Sequence, residues 1–335
     1  MILKRHPKDA IAMDKEPNKQ GGVRAGNLAD DISEKVHVGT CSWTEKTLVE
    51  SGAFYPQGVR TAEERLRFYA GRFDTVEVDA TYYAIPDRRT TALWVERTPE
   101  TFVFHVKAYG ALTGHGVDPK TLPKDIAAAL PPAEKSKNRV YLDDADLVTA
   151  IAERFGESLQ PLRRAGKLGV IVFQYPPWFR YGTRNLDALL HHKELFGQFR
   201  IAVEFRHGSW LTDDSRNRVF DFLERHAITY VTADEPQFGS LVTVPFLPHA
   251  TTDIAYLRLH GRNRDNWLKK GVETSLRYAY LYRDDELQAL LRPVRELSLK
   301  TKVTYVMFNN CYGDYAVKNS LRFMEMLRSG GAHSL

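Results

Sequence analysis

Polar residues recur at the ends of apolar runs along this chain of 335 residues. Glu77 and Asp79 close "TVEVD", and His105 and Lys107 close "FVFHVK". Glu204 and Arg206 follow "IAV", and Arg258 and His260 alternate in "YLRLH". A spacing of two puts both members of each pair on one face of an extended strand. Gln174 ends "LGVIVFQ", Asp234 ends "ITYVTAD", and Asn309 and Asn310 end "TYVMFNN". These residue types suit acid–base chemistry of hydrolase or lyase type. Glu77 with Glu204 or Asp234 forms a carboxyl pair, the equipment of glycoside chemistry when held about 5–9 Å apart. Lys107 and Arg206 would hold negative charge or shift a carboxyl pKa. His115 or His260 would carry a proton near neutral pH. Trp43, Tyr82, Trp178 and Trp210 offer flat faces to a sugar or a base.

Two other chemistries draw on the same residues. Glu77, Asp79, Glu204, Asp234, His115 and His260 are of metal-ligating type. However, the chain has no compact His-Glu-x-x-His signature, and Lys107, Arg206 and Arg258 would oppose a divalent cation. The third chemistry is non-catalytic binding of nucleic acid or a phosphorylated metabolite. "RLHGRNRDNW" gathers Arg258, Arg262 and Arg264 around one turn, and "CYGDYAVKN" starts a helix whose free N–H groups favour an anion. A small or phosphate-containing ligand is the partner this pattern favours, with nucleic acid the alternative. No recognised nucleic-acid motif is present.

Positioning these residues requires elements that end together. Eight apolar runs read as strands, and most are separated by helical periodicity. Near-continuous apolar strands of this kind are buried on both faces, as in parallel sheets. Eight strand–helix units close into a (β/α)8 TIM-type barrel over residues 36–329, whose strand carboxyl ends share one mouth. An open doubly wound sheet would want a Gly-rich turn after the first strand, and "GTCSWTEK" has one glycine there. "TAEERLRFYAGRF" predicts a helix burying Leu66, Tyr69, Ala70 and Phe73, capped by Thr61 with Glu64. "DADLVTAIAERFGESLQPLRR" reads as one long helix, and 109–144 as loop-rich. Residues 1–35 lack periodicity and read as a flexible tail.

Composition narrows the class. Hydrophobic residues make up 43% and charged residues 27%, as in globular proteins. The 47 Lys and Arg nearly match 42 Asp and Glu, so the net charge of +5 permits an anionic partner without demanding one. Two cysteines, Cys41 and Cys311, exclude a disulfide framework. No apolar run approaches the roughly 18 residues of a membrane span, and none resembles a signal peptide. A cytoplasmic protein with no membrane partner is expected. Cys41 and Cys311 follow the first and last strands, which adjoin in a closed barrel, so the two thiols can sit close together at the rim; two unrelated small residues are the favoured reading, and a redox pair or part of a soft-metal site the alternatives.

The runs "GTCSW", "FYP", "TVEVDATYYAIP", "VIVFQYPPWF", "VEFRHGSW", "TADEP", "RLHGRN" and "MFNN" resemble, in order, the DUF72 (YecE-like) family. The resemblance spans roughly residues 36–328. It implies a TIM-barrel-like fold and carries no catalytic assignment. Two departures stand out: Cys41-Ser42-Trp43 where members often have Ser-Gly-Trp, and Asp79-Ala80 where they often have Asn-Ser. The second adds a negative charge to the expected pocket.

Overall fold

The computed structural model of the chain describes residues 34–329. The expected tail lies, through residue 33, outside the described residues. Eight parallel strands form the centre: β1 (Val36–Thr40), β2 (Thr75–Val78), β3 (Val103–Lys107), β4 (Leu168–Gln174), β5 (Ile201–Glu204), β6 (Thr229–Asp234), β7 (Ile254–Leu259) and β8 (Val303–Phe308). The ladder runs β1-β8-β7-β6-β5-β4-β3-β2, with Val36 opposite Thr304 where the first strand meets the last. Helices wrap the outside, including Ala62–Ala70, Thr183–Leu195, Asp284–Ser298 and Tyr315–Ser329. The result is a nearly closed (β/α)8 barrel.

The ladder has one open seam, between β1 and β2, and a side chain spans it. The Tyr69 hydroxyl accepts the Thr40 N–H at 2.9 Å and donates to the Thr75 carbonyl at 3.2 Å. Tyr69 reaches the seam because the helix Ala62–Ala70 buries Leu66, Tyr69 and Ala70. Its start is the expected capping box, with Thr61 accepting from the Glu64 N–H and the Glu64 carboxylate accepting from the Thr61 N–H. Phe73 is buried too, but in the turn beyond the helix. Gly39 allows the seam to be tight, since a Cβ there would sit 2.4 Å from the Thr75 carbonyl oxygen.

The long helix expected over 144–164 is two. Ala145–Ser158 stops at Leu159, and Gln160–Arg164 follows with Pro161 in its first turn. A proline lacks the N–H and its ring clashes with the preceding turn, so Pro161 begins a helix where it cannot continue one. The segment 109–144 holds short turns and helices, pinned by an antiparallel bridge between Val117 and Val140.

Inside the barrel, the lower lumen is apolar and contains Val170, Val172, Ala202, Val231, Tyr256, Tyr305 and Met307. His105 sits among them, edge-on to Tyr305 at 4.2 Å and to Tyr256 at 4.9 Å. Gly169 makes its space, since a Cβ there would fall 2.3 Å from the imidazole. His105 Nδ1 accepts the Val170 N–H at 3.1 Å, and burial lowers its pKa to about 3. It is a neutral core histidine.

Candidate functional site

The strand ends meet in one buried charge network centred on Arg258. The β7 register points Tyr256 and Arg258 into the lumen and His260 just above them. The Arg258 guanidinium donates to Glu77 Oε1 at 2.6 Å and Oε2 at 3.1 Å, and to Glu204 Oε2 at 2.5 Å. It also reaches Gln174 at 3.1 Å and Asp79 at 3.4 Å. Glu77, Glu204 and Arg258 have no exposed side-chain surface. Charges so enclosed persist only when paired and hydrogen-bonded.

The two glutamates share one arginine but titrate oppositely. Burial pushes Glu77 up to about 7 against the pull of Arg258, with the nearby Asp79 charge adding to the rise. Its other partner is the neutral Tyr256 hydroxyl, 2.8 Å from Oε2. Burial also opposes ionisation of Glu204, but Arg258, His260 and Arg206 outweigh it and hold the pKa well below the usual range. Arg206 donates to Glu204 Oε1 at 2.8 Å. His260 Nδ1 lies 2.8 Å from the Asn309 amide nitrogen, and Nε2 lies 3.1 Å from both Glu204 Oε1 and Arg206 Nη1. Burial lowers the His260 pKa to about 4, leaving the ring neutral.

Above this layer stand Lys107, Arg206 and Asp79, with side chains 13%, 11% and 29% exposed. Lys107 Nζ is 3.8 Å from Asp79 and 4.6 Å from the centre of the Tyr82 ring. His115 bridges Tyr82 and the exposed Trp178, with ring centres at 5.2 and 5.7 Å, and burial lowers its pKa to about 4.

Other expected site residues lie elsewhere. Asp234 and Arg262 form a bidentate pair at 2.9–3.1 Å, completed by the Tyr282 hydroxyl at 2.6 Å and by Glu286, 3.3 Å from Arg262. This pair ties β6 to the helix Asp284–Ser298 and is separate from the Glu77–Glu204 network. The Arg258 and Arg262 guanidiniums are thus both held by carboxylates. Asn310 donates to Asn319 and the Tyr280 carbonyl, holding the last strand to the last helix. Trp210 is fully buried, stacked on Phe205 and Phe179, and Trp43 packs edge-on against Trp94 and Phe104. Both read as rim aromatics in sequence, but the turns carrying them fold back onto the core.

The cysteines adjoin as the strand order requires. Both are free; Cys41 lies 3.9 Å from Arg258 Nη2, and burial raises both thiol pKa values. Among the described residues, no group of three or more His, Cys, Asp or Glu is placed to hold a metal ion.

Sequence reasoning passed over Glu235, one residue beyond β6 in "TADEP". It is 1% exposed. Its Oε1 accepts the Val244 N–H at 2.8 Å, while Oε2, 3.5 Å from Arg206 Nη1, accepts no hydrogen bond among the described residues. Burial pushes its pKa up to about 7. It borders a cavity of about 130 Å³ that also touches Arg206, Trp267 and Tyr278. A strand-then-acid pattern was the available signal, but Asp234 took the terminal position.

Among the described residues, no helix is long and apolar enough to cross a membrane. The chain is 31% identical over 296 residues to the UPF0759 protein YunF of Bacillus subtilis, covering 87% of this chain and 94% of YunF. The UPF0759 protein YecE of Escherichia coli is 30% identical over 154 residues, 46% of this chain and 45% of YecE. A DUF72 family protein of Thermotoga maritima superposes with a TM-score of 0.69 at 32% identity, covering 88% of this chain and 99% of that one. Another, from Enterococcus faecalis, gives 0.71 at 26% identity over 88% and 95% of the two chains. The DUF72 sequence profile, described as a protein of unknown function, matches residues 37–334, and the chain belongs to that family.

Proposed function

We propose that the barrel mouth binds a small ligand carrying a phosphate or carboxylate, gripped by Lys107 and Arg206, and performs acid–base chemistry of hydrolase or lyase type on it. The observation that carries this reading is the layering of charge. The cation beneath, Arg258, is fully enclosed with Glu77 and Glu204, whereas Lys107, beside Asp79, and Arg206, beside Glu204 and Glu235, keep 13% and 11% of their side chains exposed at the mouth. Strands two apart in a sheet are separated by roughly 10 Å, a span one bridging anion with its bound atoms can fill.

The glycosidase arrangement draws no support from Glu77 and Glu204, because the Arg258 guanidinium fills the gap between them. The pair instead forms a fixed floor. Proton transfer falls to carboxyls at the upper layer, where Asp79 stands beside Lys107. The same floor also favours a second reading, a binding protein without turnover, since its groups are saturated by one another.

Calorimetric titration with inorganic phosphate and with malonate tests the reading. Lys107→Met and Arg206→Met should each weaken the anion by about tenfold or more, the worth of one charge-assisted hydrogen bond. If neither anion binds the wild type, or if both variants bind it unchanged, the proposal is wrong.

A further inference from the structure

We infer that the cavity beside Glu235 receives the hydroxyl-bearing part of the same ligand, making the ligand class a phosphorylated or carboxylated sugar or polyol. The inference rests on the reading that Lys107 and Arg206 hold the anionic group. Its own footing is different: a buried carboxylate oxygen with no hydrogen bond, on a residue that lines a partly open cavity.

Glu235 is held by the Val244 N–H through Oε1, so its orientation is fixed. Oε2 is left without a donor, although a buried polar atom normally finds one. The neighbouring Arg206 Nη1, at 3.5 Å from Oε2, is committed to Glu204 Oε1 at 2.8 Å. A ligand O–H or N–H would complete the site. An O–H fits the remaining walls better than an ammonium does. Arg206 and Arg277 both line the cavity, and their positive charges would repel a second cation.

The rest of the lining matches a compact ring. Trp267 and Tyr278 meet edge-on with centres 5.6 Å apart and form an aromatic wall, and Thr243 and Val242 also line the cavity. Aromatic faces of this kind take the C–H face of a sugar while its hydroxyls point to polar neighbours. Arg206 lies over Trp267 at 4.9 Å and lines the cavity as well. Tyr278 is an electrostatic neighbour of both Lys107 and Arg206. One ligand can therefore place its anion on the two cations and its hydroxyls in the cavity. The volume, about 130 Å³, is close to the ~150 Å³ that encloses a benzene-sized guest.

The test compares three probes on the wild-type chain: inorganic phosphate, cyclopentylmethyl phosphate and ribose 5-phosphate. The last two share ring size and anion and differ in hydroxyls. Ribose 5-phosphate should bind at least about tenfold tighter than cyclopentylmethyl phosphate. Glu235→Gln, which keeps size and an acceptor for the Val244 N–H, should lose most of that difference, read as the ratio of the two ring phosphates within each variant so that any change at the neighbouring Arg206 cancels. Equal binding of the two ring phosphates, or a preference that survives Glu235→Gln, overturns the inference while leaving the anion reading intact. Failure of all three probes to bind overturns both.

Discussion

Arg258 and Glu77 lie 181 residues apart in sequence and make a two-pronged contact, at 2.6 and 3.1 Å, with no solvent on either side chain. The same guanidinium holds Glu204 at 2.5 Å, so three strands converge on one positive charge.

Removing that charge strands two buried carboxyls. Arg258→Met should therefore lower stability by at least the roughly 3–5 kcal/mol typical of breaking a buried pair. Glu204→Gln should cost less, because Arg258 keeps Glu77. Urea unfolding monitored by far-UV circular dichroism ranks the two, and equal stabilities would show that the network does not hold the strands.

Tyr69→Phe isolates the seam. It deletes one oxygen and leaves the Thr40 N–H and Thr75 carbonyl without their partner. The cost should be about 1–3 kcal/mol, the penalty for an unsatisfied buried group. Hydrogen exchange at the Thr40 amide should accelerate, while amides of β5 and β6 should not respond.

Histidine burial predicts an acid-side loss of stability. His105 has a folded pKa of about 3, below the ordinary value near 6.5, so the unfolded chain takes up its proton first as pH falls. The stability conferred by a neutral His105 is thus present above about 6.5 and lost progressively toward 3. Relative to His105→Phe, the wild type should lose about 3 kcal/mol between pH 6.5 and 4. Denaturation midpoints across that range supply the check, and parallel curves would reject it.

Glu235 predicts the opposite sign. Its pKa is raised to about 7 in the folded state, so its contribution is complete below the ordinary carboxyl value and lost as pH rises through 7. Glu235→Gln does not titrate, and its stability relative to wild type should improve by about 3 kcal/mol from pH 4.5 to 8. An advantage that stays constant over that interval would show that Glu235 is ionised throughout.

Both thiols should be inert in the folded protein. Burial raises the pKa of Cys41 and of Cys311, and the thiolate is the reactive form. An aromatic disulfide reagent should label neither at pH 7.5 until denaturant is added, and then label two. Rapid labelling of the native chain, or an oxidised pair after mild peroxide, would contradict this.

The strands and their polar ends were legible because parallel strands leave long apolar runs and the two-residue period marks inward positions. Glu77, Glu204, Arg206, Arg258 and His260 follow from that period alone. Their pairing does not, since strand spacing cannot tell which carboxylate an arginine will choose; Arg258 took two and Arg262 took Asp234. Trp210 was misread because a tryptophan after a strand looks the same whether its turn faces outward or folds inward. Tyr69 reads as an ordinary core aromatic, and only three-dimensional placement gives its hydroxyl a task. Glu235 escaped because it lies past the end of its strand, where alternation no longer predicts direction.

The order β1-β8-β7-β6-β5-β4-β3-β2 has a consequence for synthesis of the chain. During translation, strands two to seven can add to one another in turn. The first strand emerges earliest, yet its ladder partner is the last to leave the ribosome. Until residues 303–308 appear, β1 has no ladder partner and β7 shows a bare edge. Exposed parallel edges are templates for other chains. A nascent chain arrested before residue 303 is therefore the form most in need of a chaperone, and completion of β8 protects two edges at once.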